Sequence, residues 1–330
     1  MNKKIKIITC YFGTLPEWMD IWLKSCGYNE EFDFLVVSDN SIANLPKNVS
    51  AVQMSLEDFR EKISKAIGFE VALKNPYKIC DYRPAFGIIF SEYLEGYDFW
   101  GHCDTDLIFG DLSRFITDDI LDQYKRVGKY GHLILYKNED FINNLYQKDG
   151  ATFPYQKVFK DESHYGFDEA TGINLIFKEQ GIEYYEKLQI ADSYWLLDRI
   201  SRKGDSEFDE FYCFVDGHIF RVFDDNNTLK QEEFAYLHFQ KKKPKKVADL
   251  ISYEDGFYIK KDSLVPREKA EFTLEEVKRE SEFQGTAHDK SVIKKNQMRR
   301  INDFLFKKNL SQKKIQLLKG YRYAHSERKK

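Results

Sequence analysis

The sequence predicts an α/β protein built on a mostly parallel sheet. Three observations carry that expectation. Through the first hundred residues, β-branched and aromatic runs alternate with segments of helical spacing. The 330 residues suffice for one large or two ordinary domains, at the usual roughly 100–200 residues each. No repeat or low-complexity tract interrupts the rhythm, nor does any apolar run of the roughly 20 residues that a membrane-spanning helix needs. Strand–helix–strand alternation lays successive strands side by side with helices packed over them.

The elements follow in order. Lys4–Phe12 is β-branched and bounded by Gly13, a buried first strand. Pro16 stands where a helix begins, and Trp18, Ile21, Trp22 and Cys26 keep helical spacing. Phe32–Ser38 and Val49–Met54 are strands, and Leu56–Ile67 is an amphipathic helix. Tyr82–Leu94 is predicted as a helix and Tyr97–Cys103 as a central strand. Further on, helices are expected over Ile116–Tyr124, Phe141–Gln147 and Asp168–Gln180, and strands over Gly131–Tyr136, Phe211–Phe223, Glu233–Gln240 and Glu254–Lys260. Ala151–Phe167, aromatic and irregular, suits a loop folded over a site. From Thr273 the chain is charged and helix-prone.

Ligands of open α/β sheets bind beyond the carboxyl ends of the strands. Thr9–Tyr11, Asp39 and Asp104-Thr105-Asp106 all fall at that edge. In an extended chain, residues two apart share a face, so Asp104 and Asp106 could jointly hold a hard divalent cation. Ahead of them stand Lys78, Asp81 and Arg83, suited to a phosphorylated, hydroxyl-rich ligand.

On these residues the sequence resembles the GT-A glycosyltransferases, whose Asp-x-Asp motif carries the metal that clamps a nucleotide-sugar diphosphate. Lys78-x-x-Asp81-x-Arg83, a helix, then an aromatic strand into Asp104-x-Asp106 is similar to the sugar-binding block of several such families. It is also similar to bacterial proteins of capsule and O-antigen synthesis. The likeness covers roughly Lys4 to His238. It implies a GT-A-like (Rossmann-like) fold, Mn²⁺ or Mg²⁺, and a UDP-sugar donor, UDP-galactose or UDP-glucose. Asp106 would ligate the metal, and Asp104 would reach the metal or the ribose. Asp81, Arg83 and Lys78 would contact the sugar. A local Arg83–Asp81 ion pair is the structural alternative. His238 would be the late third ligand, with Lys241 or Lys243 on the diphosphate; a histidine beside a solvated lysine run is the alternative. Asp39 would accept from the uracil ring between Thr9 and Tyr11, or simply form a turn. Asp168-Glu169 would supply the base that deprotonates the acceptor, or else the acidic first turn of a helix. Trp195 and the 153–167 loop would stack on acceptor rings or pack as core. Histidines His102 and His132 are expected inside the fold.

Two other classes compete. A haloacid-dehalogenase-type phosphohydrolase also uses Asp-x-Asp, normally on its first strand, and Asp224-Asp225 would imitate its later acids. A non-catalytic carbohydrate-binding protein would keep the fold alone. A calcium loop is excluded because Ile108 and Phe109 replace a ligand and the glycine it requires.

The near-neutral total hides an asymmetry. From Lys290 onward there are 14 Lys/Arg against 2 acids, leaving the body about −15. Residues 1–250 are expected to form the catalytic domain and 251–330 a basic, mostly helical extension. That extension suits an anionic membrane surface, whereas the acidic body argues against nucleic acid. Met1–Ile5 runs straight into a strand, without the pattern of a signal peptide. Five scattered cysteines form no metal or redox pair. A cytoplasmic setting is expected, peripheral on the inner membrane face, with a saccharide or lipid-linked saccharide as acceptor.

Overall fold

The computed structural model describes residues 1–202, 207–245, 256–268 and 271–306. A six-stranded sheet forms the centre. Its strands are β1 (Ile5–Tyr11), β2 (Phe32–Ser38), β3 (Val49–Gln53), β4 (Phe99–Cys103), β6 (Arg126–Val127) and β7 (Leu133–Lys137), with β5 (Leu107–Phe109) leaving for another sheet. The order is β3-β2-β1-β4-β7-β6. The first four strands pair in parallel, and β7 and β6 close one side antiparallel. The expected parallel-rich α/β architecture is present.

Both faces of this sheet are buried, which is why its strands read as continuous apolar runs. In β2, Leu35 and Val37 join one core with Phe59, Ile63, Trp100 and Phe86. Phe34 and Val36 join the other, with Trp22, Phe99 and Leu135. The helix Met19–Gly27 covers the second face and Leu56–Ile67 the first. Leu56–Ile67 starts at a reciprocal capping box between Ser55 and Asp58, a motif that satisfies two otherwise orphaned N–H groups.

The remaining strands are β8 (Ile190–Asp192), β9 (Glu210–Val215), β10 (His218–Asp225), β11 (Thr228–Phe234), β12 (Tyr236–His238), β13 (Phe257–Ile259) and β14 (Leu264–Pro266). Strands β5, β12 and β8 form a small sheet, and the others an antiparallel sheet ordered β11-β10-β9-β13-β14. Strand β13, from the segment expected to be an extension, pairs with β9. The helix Thr286–Phe306 is tied back by Asp289, which pairs with Arg199 at 3.0 Å. Residues 307–330, most of the basic tail, lie outside the described residues.

Four expectations need correction. Tyr82–Leu94 is not one helix. A 3-10 helix spans Pro76–Ala85, followed by short turns at Phe86–Ile89 and Ser91–Tyr93; Pro84 cannot donate to the preceding turn and prevents a regular α-helix. Phe211–Phe223 is a hairpin, turned at Asp216-Gly217 with φ of 48° and 84°, the left-handed pair that two-residue turns require. Glu233–Gln240 is divided at Ala235 between two sheets. Ala151–Phe167 is not a loop laid over the site: Phe153, Val158, Phe159, Tyr165 and Phe167 are buried in the first core, the packing alternative for these aromatics.

Candidate active site

Parallel pairing aligns the carboxyl ends of β1, β2 and β4, so Tyr11, Asp39 and Asp104 share one edge of the sheet. Asp104 follows β4 and Asp106 precedes β5. β5 pairs antiparallel with β12, setting His238 opposite Leu107. Ligand atoms of Asp104, Asp106 and His238 consequently lie within 4.8 Å of one another. His238 lies more than 130 residues from the two aspartates in sequence, and the β5–β12 ladder brings it to them.

The cluster is half-exposed, and cations already offset its charge. Arg83 Nη2 donates to Asp104 Oδ1, and Arg83 Nη1 donates to Asp168 Oδ2 at 3.2 Å and to the Gly131 carbonyl at 3.1 Å. Lys243 Nζ lies 3.3 Å from Asp106 Oδ2, and His238 Nε2 3.7 Å from Asp106 Oδ1. Burial disfavours the charge on Asp104, but Arg83 beside it holds its carboxyl below the ordinary range. Burial and the neighbouring Asp104 push Asp106 up, only partly offset by His238 and Lys243. Two carboxylates this close favour a shared cation.

One residue that the sequence reading missed orients the histidine. Asp192, at the end of β8, lies 2.9 Å from His238 Nδ1 and accepts from Gln240 Nε2 at 2.6 Å. A carboxylate on Nδ1 fixes the tautomer that leaves Nε2 as a lone-pair donor. Burial opposes charge on His238, but the bond to Asp192 and the field of Asp106 raise its pKa. His132 stacks on His238 with ring centroids 4.2 Å apart and bonds through Nδ1 to the Tyr236 hydroxyl at 2.9 Å. Burial pushes the pKa of His132 down to about 3, so it is neutral. A three-residue strand such as β8 leaves too little periodicity to read.

The other expected site residues divide. Lys78 and Asp81 do not face the edge. Lys78 Nζ, fully buried, donates to Asp81 at 2.8 Å and to the carbonyls of Val158 and Ser163. Asp81 also accepts from the backbone N–H groups of Tyr165 and Phe167. The pair pins the 158–167 segment to the core and leaves nothing for a sugar. The anticipated local Arg83–Asp81 pair is replaced by Lys78–Asp81 and by Arg83 bridging Asp104 to Asp168. Thr9 is also turned inward, its hydroxyl donating to the Cys103 carbonyl at 2.6 Å. Asp39 accepts from the Gly13 N–H at 2.9 Å and pins the loop after β1, while Tyr11 is half-exposed at the strand end.

Asp168 and Glu169 precede the helix Ile173–Glu179 by several residues and do not form its first turn. Asp168 is buried, and that burial raises its pKa well above the carboxylate range despite Arg83. Glu169 accepts from the Gly131 N–H at 2.6 Å. Gly131 permits this approach, since a Cβ there would meet Glu169 Cγ at 2.9 Å and Asp168 Oδ2 at 3.0 Å. Lys241 and Arg300 lie over the ring of Trp195 at 5.1 and 4.8 Å. The acids Asp224 and Asp225 close the β10–β11 hairpin, where Asp224 Oδ1 accepts from Asn227 N–H at 2.7 Å. Among the described residues they join no metal-ligand group with Asp104 and Asp106, which removes the feature that would have imitated a phosphohydrolase.

The fold and site together define an α/β protein with an open, parallel-rich sheet and an acid–histidine cluster at its carboxyl edge. The chain belongs to the family of unknown function DUF6625, whose model matches residues 7–268. No curated protein shows detectable sequence similarity to it. Among solved structures it is similar to the galactosyltransferase LgtC in complex with donor and acceptor sugar analogs. That match is 13% identical, covering 48% of this chain and 66% of that one, with a TM-score of 0.30. It is also similar to the glycosyltransferase GlyE of Streptococcus pneumoniae TIGR4. Two structures of it match at 12% and 14% identity over 56% and 49% of this chain and 44% of that one, with TM-scores of 0.27 and 0.25. The chain spans less than two thirds of each of these chains, and likeness so distant leaves the functional reading to the site itself.

Proposed function

We propose that this protein is a metal-dependent GT-A-type glycosyltransferase that moves a hexose from UDP-glucose or UDP-galactose to a saccharide acceptor. The observation that supports it best is the convergence of Asp104, Asp106 and His238 within 4.8 Å. Two carboxylates and one imidazole match the ligand preferences of Mn²⁺ better than those of Mg²⁺, which is usually held by oxygen and water. When bound, the cation would supply positive charge to the departing diphosphate. Lys243, next to Asp106, and the more distant Lys241 are suited to the phosphate oxygens. Arg83 holds Asp104 in place and keeps Asp168 beside it.

In the proposed reaction the bond from the hexose C1 to the diphosphate oxygen breaks, and a bond from C1 to the acceptor hydroxyl oxygen forms. UDP leaves, and the acceptor proton passes to a carboxylate. Glu169 suits that role better than Asp168, which is buried and tied to Arg83. We place the enzyme in bacterial surface-polysaccharide synthesis at the cytoplasmic membrane face, with the basic segment toward anionic lipid. No helix among the described residues is long and apolar enough to cross a membrane.

Turnover tests the proposal. Release of UDP from UDP-glucose or UDP-galactose should require Mn²⁺, and Asp106→Asn should lower it by roughly 100-fold or more, on the scale of one lost electrostatic contact at a developing charge. Release that is metal-independent, or unchanged in Asp106→Asn, would contradict the assignment.

A further inference from the structure

We propose that the saccharide acceptor binds in a cleft of about 530 Å³ walled by Glu169 and Tyr130. This inference rests on the glycosyltransferase reading and names the acceptor's place and chemistry. Four half-buried tyrosines line the cleft: Tyr124, Tyr130, Tyr184 and Tyr185. Each ring is braced by a packed neighbour. Tyr130 stacks on His132 at 5.4 Å and 10°, Tyr185 meets Tyr124 at 5.7 Å, and Tyr184 has the Arg126 guanidinium 4.4 Å from its centre. The Tyr185 backbone is clipped on both sides, its N–H donating to the Arg126 carbonyl and its carbonyl accepting from Gly128. Rigid aromatic walls of this kind suit the apolar faces of sugar rings, and they lose little entropy on binding.

The charges indicate which ligand class fits. Lys129, Lys178 and Lys187 line the cleft against Glu169, Glu183 and Glu186, and Lys129 is already paired with Glu186. No surplus of positive charge is left for a diphosphate. Alternating donors and acceptors instead suit the hydroxyls of a neutral saccharide. The position fits the chemistry as well. Glu169 lines the cleft and sits beside Asp168, which Arg83 links to Asp104. On another wall, Tyr130 leads through His132 to His238. A saccharide in the cleft would meet the hexose at the end where Glu169 stands.

Saturation-transfer NMR with lactose, maltose and cellobiose as probes tests the assignment. Wild-type protein should transfer saturation to at least one disaccharide. Tyr184→Ala should weaken that binding by about ten-fold, Tyr184→Phe should largely retain it, and Ala170→Trp, which fills the cleft, should abolish it. Thermal melts verify that each variant is folded. No transfer to any probe, or equal transfer in wild type, Tyr184→Ala and Ala170→Trp, overturns the proposal. A UDP titration with Mn²⁺ on the same wild-type sample separates the two readings. UDP binding without disaccharide transfer overturns the cleft alone. Disaccharide transfer that is lost in Ala170→Trp, with no UDP binding, supports the cleft, overturns the donor reading and leaves a carbohydrate-binding protein.

Discussion

At the residue scale, the site depends on how each charged group is satisfied. Lys78 and Asp81 carry residue types suited to a sugar site, yet both are spent on backbone groups and on each other. Arg83, five residues after Lys78, instead reaches the edge where Asp104 and Asp168 stand. Spacing in sequence could not separate these fates, because all three share a short helix whose 3-10 geometry decides which way each points. His238 was legible from its place ahead of a lysine run; Asp192, which orients it, was not. If Asp192 sets the tautomer, Asp192→Ala should weaken Mn²⁺-dependent UDP binding by roughly 10- to 100-fold, the usual cost of losing an outer partner of a metal-bound histidine. Calorimetric titration would measure it, and unchanged affinity would show that His238 needs no such partner.

At the scale of elements, long periodic segments were readable and short ones were not. Phe32–Ser38 and Leu56–Ile67 stand where the apolar pattern put them, since seven- and twelve-residue runs repeat their period often enough to be unambiguous. The three-residue strands β5, β8 and β12 repeat nothing, although they assemble the acid–histidine cluster. The 151–167 segment reads two ways in sequence, because an irregular aromatic stretch looks the same whether it covers a site or fills a core; here it fills the core. What fastens it is the buried Lys78–Asp81 pair. Asp81→Ala would leave the Lys78 ammonium and the N–H groups of Tyr165 and Phe167 without their carboxylate. Stability should fall by about 3–5 kcal/mol, as for other buried pairs that lose one partner, measured by urea unfolding. A loss under 1 kcal/mol would mean that the segment holds by packing alone.

At the scale of the whole molecule, the chain separates a negatively charged body from a basic end. The sheet order could not be read from sequence: β7 and β6 join antiparallel, and β13 reaches back to β9, because pairing partners are set by packing across the whole chain. The charge division, by contrast, is a property of sequence. The exposed residues Lys290, Lys294, Lys295 and Arg299 of the helix Thr286–Phe306 carry it as far as the described residues go. Truncation after Phe306 removes nine further Lys/Arg and one acid. Sedimentation with vesicles of phosphatidylglycerol and phosphatidylcholine should show binding that weakens on truncation and in high salt, at roughly 1 kcal/mol per basic residue near the surface. Equal sedimentation of both forms would dismiss the membrane role.

The most direct test of the central claim is the electron paramagnetic resonance spectrum of Mn²⁺ titrated into the protein with and without UDP. Coordination by Asp104, Asp106 and His238 predicts that the free-ion signal disappears at one equivalent in the presence of UDP and persists in Asp106→Asn and His238→Ala. A free-ion signal undiminished by wild-type protein and UDP together would contradict it.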